Sequence, residues 1–164
     1  MTRSLTAAQD ALVEANTYYV ENLLEIGTTY YTTGSYDVTV TTSTGTHNFV
    51  SDNKLLSVGS VSERSYFTNT KFAFQFIGVD LSVPLAFANG TTVRLFKMFR
   101  NTSTNAVESS DPIQVFDGVI SSKRLDFDGE NHILQIECSP DNIGINKSVP
   151  TPAIFSSSVT GNAA

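Results

Sequence analysis

The chain is short of the residues that carry chemistry or lock small folds. One cysteine in 164 residues excludes an internal disulfide and a cysteine-built zinc or iron–sulfur site within the chain. That residue, Cys138, ends an apolar alternation and reads as a small core residue. Tryptophan is absent, and histidine occurs twice, at His47 and His132. His47 lies beside an expected turn, where a solvated imidazole is the simplest reading. His132 opens an expected strand after an acidic turn, within reach of Asp128 or Glu130. General acid–base work at either would need a second positioned group, and no spacing indicates one. The sequence also lacks a phosphate-cradling glycine loop, a Gly-x-Ser-x-Gly elbow and paired histidines on a helix. No catalytic, cofactor-binding or metal-ligating residue is assigned, and the chain is read as no enzyme.

Charge is scarce as well. Charged residues make up 16% of the chain, and 10 basic against 16 acidic residues leave a net charge of −6. Proteins that grip nucleic-acid backbones do so through clustered Lys and Arg, and here the basic residues are spread thinly, which argues against specific nucleic-acid binding. No apolar run approaches the ~20 residues of a membrane-spanning helix. The opening MTRSLTAAQD has a single Arg and no apolar h-region, so it does not read as a signal peptide, and a soluble chain made in the cytoplasm is expected. The Asn-x-Ser/Thr triplets at Asn89, Asn101 and Asn146 are then chance matches.

What the chain does have is strand grammar. Hydrophobic residues make up 40%, with 11 Phe and 6 Tyr, and Ser, Thr and Asn supply much of the polarity. The stretch Ile113 to Cys138 organises the rest. Ile113, Val115, Asp117, Val119 and Ser121 alternate with Gln114, Phe116, Gly118 and Ile120. A second alternation sets His132, Leu134, Ile136 and Cys138 against Ile133, Gln135 and Glu137. Between them lies the polar run Lys123–Asn131, where Asp128-Gly129 supplies the positive φ of a tight reversal. A hairpin of this length needs neighbouring strands to be stable.

The other segments supply those neighbours. Thr6 with Gln9 three residues on makes a capping box for a helix over Thr6–Ala15, with Ala8, Ala11, Leu12 and Ala15 on one face. Tyr18–Ile26 reads as a strand despite imperfect alternation. Thr32–Ser35 is a turn, and Tyr36–Thr41 with Thr46–Val50 makes a second hairpin around Ser43-Thr44-Gly45, more polar and nearer a sheet edge. Leu55–Arg64 alternates, with Gly59 marking a bulge or close approach. Thr70–Val79 puts Phe72, Phe74 and Phe76 on one face, as a core wall. Asp80–Ala88 holds a short helical turn closed by Asn89-Gly90. Thr91–Arg100 is a strand, with Val93, Leu95, Lys97 and Phe99 opposed to Arg94, Phe96, Met98 and Arg100. Asn101–Ser110 is a polar loop. Pro140, Pro150, Pro152 and Gly144 deny helix and central strand to the end of the chain. The expected fold is all-β: an antiparallel β-barrel or sandwich of long hairpins with one short N-terminal helix. It comprises a domain over 1–140 and an irregular tail over 141–164.

Two surface features bear on function. Asp126–Asn131 places acidic groups at alternate positions around a glycine, as in part of a calcium loop, but the later bidentate Glu is missing and a solvated turn is the better reading. Tyr30, Tyr31 and Tyr36 are candidate sugar-stacking rings, which makes a carbohydrate- or receptor-binding β-sandwich module the alternative function; against it, strand tyrosines are commonly half-buried. A hydrolase has no supporting motif.

The order of segments resembles a known family. A helix precedes "YYVENLLEI", then come "YTTGSYDVTV", "LLSVGSVSER", "FAFQFIGVD" with its short helix, "TVRLFKMF", and "DPIQVFDGVISSKRLDFDGENHILQIEC". Over roughly residues 5 to 140 this resembles the N-terminal region of tail-tip or baseplate hub proteins of tailed bacteriophages and gene transfer agents. The resemblance implies a β-barrel hub-like domain that docks side by side in a ring, trimeric or hexameric, at the distal end of a phage tail. Its partners would be other copies of itself and tube, hub or fibre subunits, and its place would be the virion. It implies no functional residues, and the single Cys138 departs from longer relatives with a cysteine-bearing C-terminal region. An acidic channel face, with Asp117 and Glu137 as contributors, would let DNA slide through without lodging.

Overall fold

A computed structural model describes residues 5–52, 54–59, 61, 72–104, 106–107 and 112–140. The capping box forms as the sequence predicts. The Gln9 amide N–H donates to Thr6 Oγ1 at 3.3 Å, and the Thr6 N–H donates to Gln9 Oε1 at 2.9 Å, starting helix α1 (Ala7–Ala15). Its buried residues are Gln9 and Leu12, while Ala8, Ala11 and Ala15 are exposed, which corrects the expected alanine face. Leucine offers far more apolar area than alanine, so the i, i+3 pair of residues 9 and 12 sets the docking stripe.

Nine strands follow: β1 (Tyr18–Ile26), β2 (Thr29–Thr32), β3 (Val38–Thr42), β4 (Gly45–Ser51), β5 (Leu55–Val58), β6 (Phe72–Gly78), β7 (Thr92–Asn101), β8 (Ile113–Asp128) and β9 (Asn131–Pro140). A second helix, α2 (Ser82–Ala86), lies between β6 and β7. The strands form one sheet in the order β3-β4-β2-β1-β7-β8-β9-β6-β5. All neighbours are antiparallel except β2 and β4, which pair in parallel at Tyr31↔Val50 and Thr32↔Ser51. The fold is all-β. Among the described residues the order has two ends, so the sheet is rolled rather than closed into a barrel by hydrogen bonds. The roll is tight nonetheless: Tyr31 of β2 and Phe76 of β6 pack with ring centroids 5.2 Å apart, although β1, β7, β8 and β9 stand between them in the order.

Inside the roll, alternation does what it predicts. Phe72, Phe74 and Phe76 are buried against Leu134, Ile136 and Cys138 of β9, Phe116 and Ile120 of β8, Val93 and Leu95 of β7, and Leu24 and Ile26 of β1. Each such side chain contributes roughly 1.5–3 kcal/mol by leaving water. Helix α2 lies against this core through Leu81. Lys123 Nζ donates to the carbonyl oxygens of Leu85 at 2.9 Å and Phe87 at 2.6 Å, at the end of that helix.

A second layer explains the irregular pattern of β1. The β3–β4 hairpin folds over the outer face of β1 and β7, where Val38, Val40 and Phe49 meet Leu23, Phe96 and Met98. Both faces of β1 are therefore covered, and Leu23, Leu24, Glu25 and Ile26 are all buried. Strand β2, which the sequence pattern did not reveal, continues the sheet from β1.

The organising hairpin is longer than its alternation shows. The run from Lys123 onward is strand, and β8 continues to Asp128, paired with Asn131 around a turn in which Gly129 has φ 60°. The polarity of Lys123–Asp128 reflects an exposed end of the hairpin, not a loop. Register shifts at Val115, between the Leu95 and Phe96 pairings, and at Ser121, between the Ile120 and Ser122 pairings, reset which residues face inward. The close approach expected at Gly59 is present: its N–H donates to Ala73 O at 2.8 Å, and a Cβ there would sit 2.7 Å from that oxygen. The expected tail 141–164, the far end of the Leu55–Arg64 run and part of the Asn101–Ser110 loop (105 and 108–110) lie outside the described residues.

Candidate functional site

The polar groups that sequence reading passed over are gathered on the outer face of β1 and β7. Glu21 and Glu25 flank Leu23 on β1, and Arg94 and Arg100 flank Phe96 and Met98 on β7, with Leu23 in register with Phe96. The opposed signs were legible as Glu-x-Leu-x-Glu against Arg-x-Phe-x-Met-x-Arg, but only once the two strands were known to be neighbours. Glu21 has no exposed side-chain surface, and its Oε2 accepts from Arg100 Nε at 2.7 Å. Its other oxygen accepts from the Thr32 hydroxyl. Gly34 lies over the same carboxylate, and any Cβ there would overlap it.

Four residues further along β1, the second carboxylate is arranged more openly. Glu25 Oε1 accepts from Arg94 Nη1 at 2.7 Å, and Arg94 Nε lies 3.4 Å from Asp117 Oδ1, so one guanidinium bridges two carboxylates. The tip of the β3–β4 hairpin is fastened here. Thr44 Oγ1 donates to Glu25 Oε2 at 3.0 Å, and Ser43 Oγ donates to Gln114 Oε1 at 3.0 Å. His47 Nε2 is 3.2 Å from Thr44 Oγ1, and its imidazole stacks on Tyr30 with centroids 4.2 Å apart. Because the Thr44 hydroxyl gives its proton to a carboxylate, it accepts from His47. The histidine then donates to this oxygen instead of withdrawing a proton from it, the reverse of nucleophile activation.

The sequence candidates fall in separate places. Asp117 and Glu137 both face away from the core; Asp117 is balanced by Arg94, and Glu137 accepts from Ser122 Oγ at 3.1 Å. Tyr31 is buried in the roll, its phenol pushed above the usual range by burial and then by the Asp52 charge. Tyr30 is half-buried against His47 and Phe49, and Tyr36 alone of the three tyrosines presents its ring, at 63% exposure. His132 packs edge-on against Phe127, with centroids 5.0 Å apart. Cys138 is buried, and burial pushes its thiol up to about 12. Among the described residues no three His, Cys, Asp or Glu side chains gather as metal ligands, and no helix is long and apolar enough to cross a membrane.

One depression of about 520 Å³ opens beside the ends of β2 and β4 and the start of β5. It is lined by Thr32, Thr33, Gly34, Ser51, Asp52 and Leu55. Its polar groups are largely occupied within the fold: Ser51 Oγ donates to Gly34 O at 2.7 Å, and Asp52 Oδ1 accepts from the Lys54 N–H at 2.8 Å. The remaining features of note are the ends of the sheet, where β3 and β5 each have a strand neighbour on one side only among the described residues. Compared with protein-family models and with curated proteins, the chain matches none.

Proposed function

We propose that the chain is a structural virion protein, a tail-hub or baseplate-ring subunit that assembles around the DNA channel of a phage tail. The observation that carries this reading is the rolled all-β sheet that stops in two terminal strands, β3 and β5. Such ends invite strand addition from neighbours, and cyclic symmetry turns repeated contacts between neighbours into a ring. Supporting it are the order of the segments over residues 5–140 and a net charge of −6 with Asp117 and Glu137 on the outward face. An acidic wall repels phosphates, so DNA passes without lodging. The mechanism is assembly, and no residue is assigned a catalytic part.

Electron microscopy of purified particles, with the chain tagged, tests the reading. A ring of tagged subunits at the distal tail is the expected result, and tails that lack the chain overturn it. The carbohydrate-binding alternative rests on three tyrosines of which two point into packed layers, leaving Tyr36 as the ring available for stacking. Glycan-array binding by the isolated monomer would favour that alternative.

A further inference from the structure

Natural sheets protect their terminal strands with charge, proline or a bulge, because an unpaired backbone row captures other strands. Strand β3 has none of these. Its sequence is Val-Thr-Val-Thr-Thr, and the whole hairpin from Val38 to Ser51 contains no Asp, Glu, Lys, Arg or Pro. Its register with β4 runs without interruption from Val38↔Phe49 to Thr42↔Gly45. The opposite terminal strand differs in regularity: β5 is bulged between Leu55 and Ser57, although each strand is preceded by one charged residue, Asp37 before β3 and Lys54 before β5. The exposed face of the β3–β4 hairpin is cross-linked by side-chain hydrogen bonds, Thr39 Oγ1 to Asn48 Oδ1 at 3.2 Å and Thr41 Oγ1 with Thr46 Oγ1 at 3.0 Å.

The same strand is self-complementary. Val38 and Val40 point into the layer beneath the hairpin, while Thr39 and Thr41 are exposed. Two copies of β3 laid antiparallel about a two-fold axis through Val40 set Val40 against Val40, and Thr39 of each against Thr41 of the other. On the covered face Val40 then meets Val40 and Val38 of each copy meets Thr42 of the other, a β-branched pair, while hydroxyl meets hydroxyl on the open face. Charge points the same way. Two chains of net charge −6 repel, and β3 lies in the uncharged hairpin where their sheets can approach.

We propose that the outer edge of β3, which has no strand neighbour among the described residues, is a docking site for a second copy of this chain, joined by antiparallel β3–β3 pairing into one continuous sheet. Such a contact is isologous and closes on two subunits. It occupies one of the two sheet ends, β3 and β5, that the proposed ring would draw on, leaving β5 for further addition, and it stands on the strand geometry whether or not the chain belongs to a virion.

Sedimentation of the full chain over a range of concentrations, paired with hydrogen exchange, is the test. The wild-type protein should show a monomer–dimer equilibrium, with exchange at the Thr39 and Thr41 amides slowing as dimer accumulates. The double substitution T39K/T41K places Lys against Lys at two positions and should weaken dimerisation about tenfold or more, as should T39E/T41E. Mixing the two variants sets Lys against Glu and should restore a dimer, now heteromeric. Circular dichroism checks that each variant folds, which is expected because both threonines are exposed. Should a variant fail to fold, the concentration dependence of wild-type exchange at β3 decides alone. A wild-type chain that stays monomeric at its solubility limit, a dimer with unprotected β3 amides, or variants that dimerise like wild type would each overturn the proposal. Whether rings are found in tails is read separately, by the electron microscopy of tagged particles, so the two readings fail on different measurements.

Discussion

Arg100 of β7 is joined to β1 through the Glu21 carboxylate, which has no exposed surface. Removing one member of such a pair strands the other as a buried charge, whereas replacing both with apolar groups of similar size removes the desolvation problem altogether. Arg100→Ala should therefore lower unfolding free energy by about 3–5 kcal/mol. The double variant E21L/R100M should unfold at higher urea than either single substitution, and equilibrium denaturation reads both. Cys138 makes a prediction about pH. Its thiol titrates near 12 in the folded chain against an ordinary 9.0, so between those values the folded state holds a proton that the unfolded chain has released. Stability is level below pH 9 on this account and falls as pH rises from 9 to 12, with Tyr31 acting in the same direction. Urea titrations across that window should show the decline, and C138A should make it shallower. The same burial should leave the thiol unreactive toward a thiol reagent until the chain unfolds.

At the scale of elements, the turn after β8 tests how a single backbone angle sets a hairpin. Gly129 has φ 60°, which an L-residue with a Cβ adopts at a cost of roughly 1–2 kcal/mol. G129A should lower stability by about that amount in a urea melt, without altering the register of β8 on β9. This turn was legible in the sequence because Asp-Gly states its own geometry. Strand β1 was legible over its full length, and the burial of Phe72, Phe74 and Phe76 followed from spacing alone. The bulges at Val115 and Ser121 were not, because a bulge belongs to a pair of strands and leaves no mark on one of them. Strand β2 was missed because Thr29–Thr32 is too short to show a period beside the turn that follows it. The alanines of α1 misled for a different reason: they share a helical face, but little is gained by covering it.

For the whole molecule, the sequence shows which face of a strand is apolar and says little about which strand lies beside it. The neighbours β1 and β7, and β6 and β9, are far apart along the chain, and their pairing creates the Glu21–Arg100 and Glu25–Arg94 contacts that no local pattern announced. Pairing at such separation is also slow to find, since loop closure precedes any gain in contacts. Refolding from urea should take milliseconds to seconds rather than microseconds, as stopped-flow fluorescence of the tyrosines would record.

Strand β8 gives the molecule a mechanical axis. Its first part is bonded to β7, its second to β9, and at Gly118 and Val119 to both. Its 16 residues span about 50 Å at the usual rise per residue. A pull along that line loads both ladders in shear together, instead of peeling one bond after another. Tension entering at the Gly129 tip would thus reach the far side of the domain through a single polypeptide segment, as a tie rod carries load through a frame.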